Sequence, residues 1–415
     1  YQVLFIEFSG IPTDDHEKIY EAFNYKIQHA LNDFLKRYQF DRACIEALEQ
    51  VSGAANKIDL FLTQVSGNKI YLLIDEYDHF ANALMADDLT HFRAIMGKGG
   101  FVRAFYEVLK AATQRGVLDR LFITGVTPIM LDSLTSGFNI VENLSHHAKF
   151  NQAIGFTHAE TLSLIKPLAD KQGLDLSLLM TDVTHWYNGY LFAEQAKQTL
   201  FNADMILYFI KHFDSDQGTY PRRMLDENIA SDYGKILAMF SIGNRDDNYE
   251  VLEKLIEHNE VVALHRRKFD FDKGFDRDDF ISLLLYMGFI TFKQVQLGRE
   301  SFQIPNYVIR TLYYEYFKVE LERRHHIKMP GVQIEDSMIA LALHNDLAPL
   351  AKNIEGVLAS FSNRDYIQLD EKHIKTLLLT LLYQSPVYFI KSEPEINRHY
   401  PDILLLERNP FAEKN

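Results

Sequence analysis

The sequence predicts an α/β protein with a parallel sheet at its N-terminal end, a helical middle and a small α/β tail. Three observations predict it. Short apolar runs near residues 3–8, 70–74 and 120–126 are separated by long helical stretches, the alternation that builds βαβ units and right-handed crossovers. From about residue 155 the alternation gives way to mainly helical sequence. At 367–407 helix and strand signals return within one short stretch.

The elements follow in order. Val3-Leu4-Phe5-Ile6-Glu7-Phe8 reads as a strand, ended by Ser9-Gly10-Ile11-Pro12. A helix follows, because Ile19, Phe23, Ile27, Leu31 and Leu35 recur on one face, with Asp14 or Asp15 placed to cap it. A second helical stretch runs from about Asp41 to Val65, and Ser66-Gly67-Asn68 turns the chain into Ile70-Tyr71-Leu72-Leu73-Ile74. A continuous apolar run suits a strand buried on both faces of a parallel sheet. It stops at Asp75, Glu76 and Asp78, which are expected to emerge at the carboxyl edge, where open α/β sheets place ligands. An apolar strand ending in Asp-Glu has the form of a Walker B element, in which the Asp holds Mg²⁺ and the Glu polarises the attacking water. The alternative is a buried strand with a solvated acidic end. Residues 89–114 read as helix, interrupted by Gly97-Lys98-Gly99-Gly100, which lacks the phosphate-loop spacing and reads as a helix–helix connection. The third strand is Arg120-Leu121-Phe122-Ile123-Thr124-Gly125-Val126. No Gly-x-x-x-x-Gly-Lys-Ser/Thr occurs in the 415 residues, so an ATPase reading expects that loop upstream of Tyr1.

In the middle, 157–170 and 175–187 form an amphipathic helix pair that leads to Trp186-Tyr187-Asn188-Gly189-Tyr190, an aromatic run expected to pack as a corner around an Asn-Gly turn. Residues 205–262 read as largely helical with a polar break at Gly243–Asn248. A helix from Asp278 to Met287, strands around Gly288–Phe292 and Ser301–Ile304, and Pro305 opening a helix give the order of a winged-helix module. Its acidic residues Asp276, Asp278, Asp279 and Glu300 favour a structural role over DNA reading, although Arg266-Arg267-Lys268 and Arg323-Arg324 flank it. In the tail, Glu371 opens an amphipathic helix, Val387–Ile390 is a strand, Ser392-Glu393-Pro394-Glu395 is a turn, and Asp402 heads the apolar run Ile403–Leu406. A helix glutamate and a strand-leading Asp suit a divalent metal of the kind that serves phosphodiester hydrolysis, but the Glu-x-Lys that completes such a site is not present before Asn415.

Composition bounds the rest. A net charge of −14 argues against a surface that is basic throughout. Cys44 is the single cysteine, which rules out an intramolecular disulfide or a cysteine-built zinc site and fits a cytoplasmic location. No run of eighteen apolar residues and no signal-peptide pattern occurs, so no membrane partner is expected. The histidine pairs His146-His147 and His325-His326 diverge by about 100° on a helix and do not share a metal.

Taken together, the strand Val3–Phe8 with Ser9-Gly10, the acidic strand Tyr71–Asp78, Phe122–Val126, Trp186–Tyr190, Ile304-Pro305-Asn306 and the tail from Glu371 to Asp402 form an ordered set of motifs. The chain resembles the bacterial AAA-ATPase-like proteins that carry a C-terminal PD-(D/E)XK nuclease-superfamily domain. That resemblance implies a P-loop NTPase-like domain at 1–155, a helical and winged-helix-like region at 156–330, and a restriction-endonuclease-like α/β domain at 331–415. It implies ATP and Mg²⁺ as cofactors, with Asp75 on the metal, Glu76 as the catalytic carboxylate, and Asp78 and Thr124 at the nucleotide. In the tail it implies Glu371 and Asp402 as metal-binding and catalytic residues, assisted by Glu393 or Glu395. The function expected is an ATP-hydrolysing protein coupled to a nuclease-like domain acting on DNA or RNA, with homo-oligomers as a further partner class and a setting in defence or mobile-element conflict. The alternative is a scaffold or nucleotide switch with degenerate sites.

Overall fold

The structure, a computed structural model, describes all residues except 66, 88, 129–137, 226–239, 241, 270–273, 362–370, 393–400 and 409–415. The chain groups into two units. The first comprises Tyr1–Leu144, Ala238–Arg245 and Leu264–Met287; the second comprises Ser145–Leu237, Asp246–Ala263 and Gly288–Asn415. No helix among the described residues is long and apolar enough to cross a membrane.

In the first unit, β1 (Gln2–Glu7), β2 (Ile70–Asp75) and β3 (Leu118–Ile123) form a parallel sheet in the order β1-β2-β3. Helix α1 (His16–Arg37) starts where the Asp15 carboxylate accepts the Glu17 and Lys18 N–H groups at 2.8 and 3.1 Å. Its expected apolar face, Ile19, Phe23, Ile27, Leu31 and Leu35, is fully buried. The helical stretch expected over 41–65 consists of two helices, α2 (Arg42–Glu49) and α3 (Ala54–Gln64), separated at Gly53, whose φ of +82° no helix accepts. A helix that periodicity did not signal, α4 (His79–Asp87), follows β2, and α5 (Leu89–Met96) and α6 (Phe101–Gln114) are joined through the Gly-Lys-Gly-Gly turn.

The sheet is not buried on both faces. Leu4, Ile6, Leu72 and Ile74 point into the core, where Phe8 stacks on Phe23 at 4.9 Å and meets Phe80 and Phe105 edge-on at 6.3 Å. Phe5, Leu73 and Phe122 stand in register on the opposite face, and Phe5 and Phe122 are 53% and 50% exposed. The apolar runs are uniform because each strand combines a core face with a second apolar face. Their uniformity therefore does not report two-sided burial.

In the second unit, α7 (His158–Gln172) begins with a capping box in which Thr157 and Glu160 satisfy each other's backbone N–H groups. Helix α8 (Leu176–Tyr187) carries the aromatic run into its turn, and α9 (Ala203–His212) follows. The polar stretch expected to break a helix instead opens one, α10 (Arg245–His258), with Asp246 and Asp247 in the first turn, where acidic side chains complement the helix dipole. Strand β4 (Val261–Ala263) joins the hairpin β5 (Thr291–Gln296) and β6 (Arg299–Gln303) in an antiparallel sheet of order β4-β6-β5. The intervening helix α11 (Arg277–Tyr286) groups with the first unit. Helices α12 (Tyr307–His325), α13 (Gly331–His344), α14 (Ala348–Ser360) and α15 (Glu371–Leu382) precede the antiparallel pair β7 (Tyr388–Ser392) and β8 (Ile403–Glu407).

The aromatic run packs as a corner, with Tyr187 and Tyr190 buried and Trp186 4.6 Å from Tyr307. Beside it, the His185 ring lies 4.3 Å from Phe389. Burial, with the charges of Lys391 and Arg310 nearby, pulls the imidazole from 6.5 down to about 4. Between those values the unfolded chain binds a proton that the folded chain refuses, so stability rises with pH across the window and is lost as pH falls through it. We expect the unfolding free energy to drop by about 1–3 kcal/mol on acidification from about pH 7 to about pH 4.5, after allowance for partial exposure of the ring. His185→Gln should flatten that drop in urea titrations at the two pH values. An identical drop in the variant would remove His185 as its cause.

Candidate functional site

Strand β2 ends at the carboxyl edge with Asp75 half-buried and Glu76 exposed. Asp75 and Thr124, on the neighbouring strand exit, are brought together: the Thr124 hydroxyl donates to Asp75 Oδ1, which also accepts the Glu76 N–H at 3.0 Å. The main chain knits the two exits, with Thr124 N–H donating to the Ile74 carbonyl at 2.9 Å and Tyr77 N–H to the Thr124 carbonyl at 3.2 Å. Glu76 adopts φ +49°, a left-handed conformation uncommon for a glutamate, which marks the turn as constrained by its surroundings. Asp75, Glu76 and Thr124 supply oxygen donors only, the chemistry that suits a hard divalent cation such as Mg²⁺.

Asp78 departs from expectation. It does not emerge at the edge but is 0% exposed. Its carboxylate accepts the Val126 N–H at 3.0 Å, the Thr127 N–H at 2.6 Å and the Asn82 side-chain amide at 2.7 Å. Burial pushes its carboxyl up, and these donors pull it back toward the charged form. Protein N–H groups stand where water would otherwise meet the buried carboxyl. The expectation that Asp78 stands at the edge beside Asp75 and Glu76 is thus corrected: its side chain is buried among donors from Val126, Thr127 and Asn82.

The tail residues lie apart from this edge in sequence. Glu371 is the first residue of α15 and is exposed; Asp402 is exposed immediately before β8; Glu393 lies outside the described residues. Among the described residues no group of three or more His, Cys, Asp or Glu side chains is arranged to hold a metal. Of the cations flanking residues 276–304, Arg266 pairs with Asp276 at 3.4 Å, Arg323 with the buried Glu320 at 2.5 Å and Arg324 with Asp246 at 2.6 Å. Those guanidinium groups are occupied within the protein.

Sequence reasoning missed Gly125 and Asn82. A Cβ at Gly125 would overlap the Tyr77 ring and Asp78 Oδ1, so only glycine admits the close approach of the two strand exits. Asn82 lies four residues beyond Asp78, a spacing that places two polar side chains on one helix face and was the available signal.

Comparison with known proteins bears on the same region. An "Uncharacterized protein in vnfD 5'region" of Azotobacter chroococcum mcd 1 is 26% identical over 145 residues, 35% of this chain and 25% of that protein. The match thus spans about a quarter of that relative's length. No solved structure matches. Residues 1–135, the segment that holds β1, β2, β3 and the Asp75–Thr124 edge, match the family described as "Predicted AAA-ATPase".

Proposed function

We propose that residues 1–135 form the metal- and water-handling part of an ATP-hydrolysing site in a cytoplasmic protein. The observation that carries this reading is the contact between Asp75 and Thr124 at adjacent parallel strand exits, with the Glu76 carboxylate exposed beside them. Asp75 is assigned to the Mg²⁺, Glu76 to orienting and polarising the attacking water, and Thr124 to reading the terminal phosphate while holding Asp75 in place. When bound, Mg²⁺ neutralises phosphate charge and fixes the orientation of the phosphate oxygens. The phosphate-binding loop that the reading requires is not among these 415 residues. The test is ATP turnover by the natural full-length protein with and without Mg²⁺. Metal-dependent turnover supports the reading, nucleotide binding without turnover favours a switch, and neither one overturns it.

The nuclease-like assignment of the tail belongs to the same proposal. Its support is the order helix, strand, strand, with Glu371 opening α15 and Asp402 heading β8, and Glu393 as the third carboxylate. A DNA or RNA substrate, a role in conflict between mobile elements and their hosts, and assembly with further copies of the chain follow from the family resemblance alone. If the full-length protein cleaves nucleic acid in Mg²⁺ or Mn²⁺, Asp402→Ala should lower cleavage by about 100-fold or more, and EDTA should stop it. Undiminished cleavage by the variant would move the chemistry elsewhere.

A further inference from the structure

The buried side of the β2–β3 edge is held as firmly as its exposed side, and by different atoms. Behind Glu76, the Tyr77 hydroxyl donates to the Thr127 carbonyl, and both Asp78 oxygens receive N–H groups from Val126 and Thr127. The Thr127 hydroxyl lies 2.8 Å from Asn82 Oδ1 and 3.2 Å from Asp78 Oδ2, and the shorter contact takes its single proton. Asn82, on α4, returns its amide to Asp78. Gly125 lets the segment lie against Tyr77 and Asp78. In front of Glu76, Thr124 holds Asp75. Glu76, with its left-handed backbone, is therefore bracketed by one continuous segment, 124–127, that grips the residue before it and the two residues after it.

We propose that Asp78 is a positioning residue: with Gly125 and Thr127 it forms a clasp that fixes the Glu76 turn to the exit of β3, so that the segment carrying Thr124 and the Glu76 carboxylate move as one body. The reaction this serves rests on the ATPase reading above; the clasp itself does not. The backbone N–H groups that this carboxylate accepts come from a loop 48 and 49 residues away, and the Asn82 amide is its local partner, so the neighbouring sequence alone does not account for its burial. An apolar residue would fill the space, but it would leave the Val126 and Thr127 N–H groups without acceptors. The acceptor is specific too. An amide at this position turns a donor toward at least one of those N–H groups or toward the Asn82 amide.

Hydrogen exchange read by mass spectrometry on the full chain tests the clasp without any activity. In Asp78→Asn, peptides spanning 74–80 and 124–128 should both exchange at least about tenfold faster, while the peptide over α1 stays unchanged. A change in only one of the two peptides, or none in either, overturns the proposal. A general loss of protection across the first unit also overturns it, as a merely structural role. Should Asp78→Asn fail to fold, Tyr77→Phe, which removes one hydroxyl, carries the same test: a smaller joint increase in both peptides supports the clasp, and an unchanged pair overturns it. In the full-length protein, Asp78→Asn should lower kcat for ATP about tenfold or more with KM within about threefold, and should add nothing to the loss in Glu76→Gln. A change confined to KM, or a fully additive loss, overturns positioning. A wild-type protein without turnover overturns the ATPase reading and leaves the exchange result to decide the clasp.

Discussion

Asp75→Ala is expected to lower Mg²⁺-dependent ATP turnover of the full-length protein by about 100-fold or more, with the circular dichroism spectrum unchanged. The size follows from what the carboxylate would do. It is the one acidic group that sits at the end of β2, in contact with the neighbouring strand exit and half open to the edge. The fold should survive because alanine leaves the β2 ladder and the core-facing Ile74 intact, and because the Thr124 hydroxyl, being exposed, finds water. Glu76→Gln separates the two roles. It should keep Mg²⁺-ATP binding within about threefold and lose turnover by a similar factor to Asp75→Ala, whereas Asp75→Ala should weaken binding of Mg²⁺-ATP as well. Fluorescent-nucleotide titration together with phosphate release distinguishes them. Turnover that persists in Asp75→Ala would place the metal elsewhere, and equal binding defects in both variants would remove the division of labour between the two carboxylates.

The edge was legible in the sequence because β2 changes character abruptly: an apolar run cannot continue through Asp75 and Glu76, so a strand end is forced there. The cap of α1 was legible for a related reason, since Asp15 precedes a regular apolar face. What surrounds the edge was not. Asp78 is a carboxylate like its neighbours, and apart from Asn82 four residues on, nothing local distinguishes one that meets water from one that meets the Val126 and Thr127 N–H groups. That difference is made by the loop after β3. The one-sided sheet was hidden too, since Phe5, Leu73 and Phe122 look like core in any hydrophobicity pattern, and only the position of the helices shows that α1, α4 and α6 all pack against the other face. Helix α4 was missed because the acidic turn before it draws attention to the site, and its nine residues are too few to establish a period. In the tail, the sequence offers Glu371 and Asp402 as carboxylates in a given order, but type and order do not set a distance.

Gly189→Ala should cost the second unit about 3–5 kcal/mol, the largest stability effect expected of any single methyl group here. Two independent penalties combine. Gly189 has φ +121°, beyond the left-handed region that asparagine or aspartate tolerates, and a side chain there is strained by about 1–3 kcal/mol. The added Cβ would also overlap the Pro305 carbonyl oxygen, a backbone atom that cannot rotate away. Retreat is blocked on both sides. Gly189 and Tyr190 donate N–H groups to the Leu200 carbonyl at 3.2 Å, Leu191 N–H donates to the Thr291 hydroxyl at 2.7 Å, and Asn306 caps α12 through the Ile309 N–H at 3.1 Å. The turn of Trp186–Tyr190 and the segment Ile304–Asn306 are thus two faces of one contact, which explains physically why an aromatic run should carry an Asn-Gly and lie opposite a proline. Beyond it, Tyr307 stacks on Phe389 at 4.3 Å and accepts the Ile390 N–H at 3.0 Å, so displacing Pro305 also disturbs the seat of β7. Gly173, at the end of α7 with φ +62° and open space around it, provides the control: alanine there pays only the backbone term, about 1 kcal/mol. Thermal unfolding should therefore show a midpoint lowered by roughly 10 °C or more for Gly189→Ala and by a few degrees for Gly173→Ala. Equal, small shifts would mean that the Pro305 contact relaxes, and that the aromatic corner is a loose turn instead of the joint between α8 and α12.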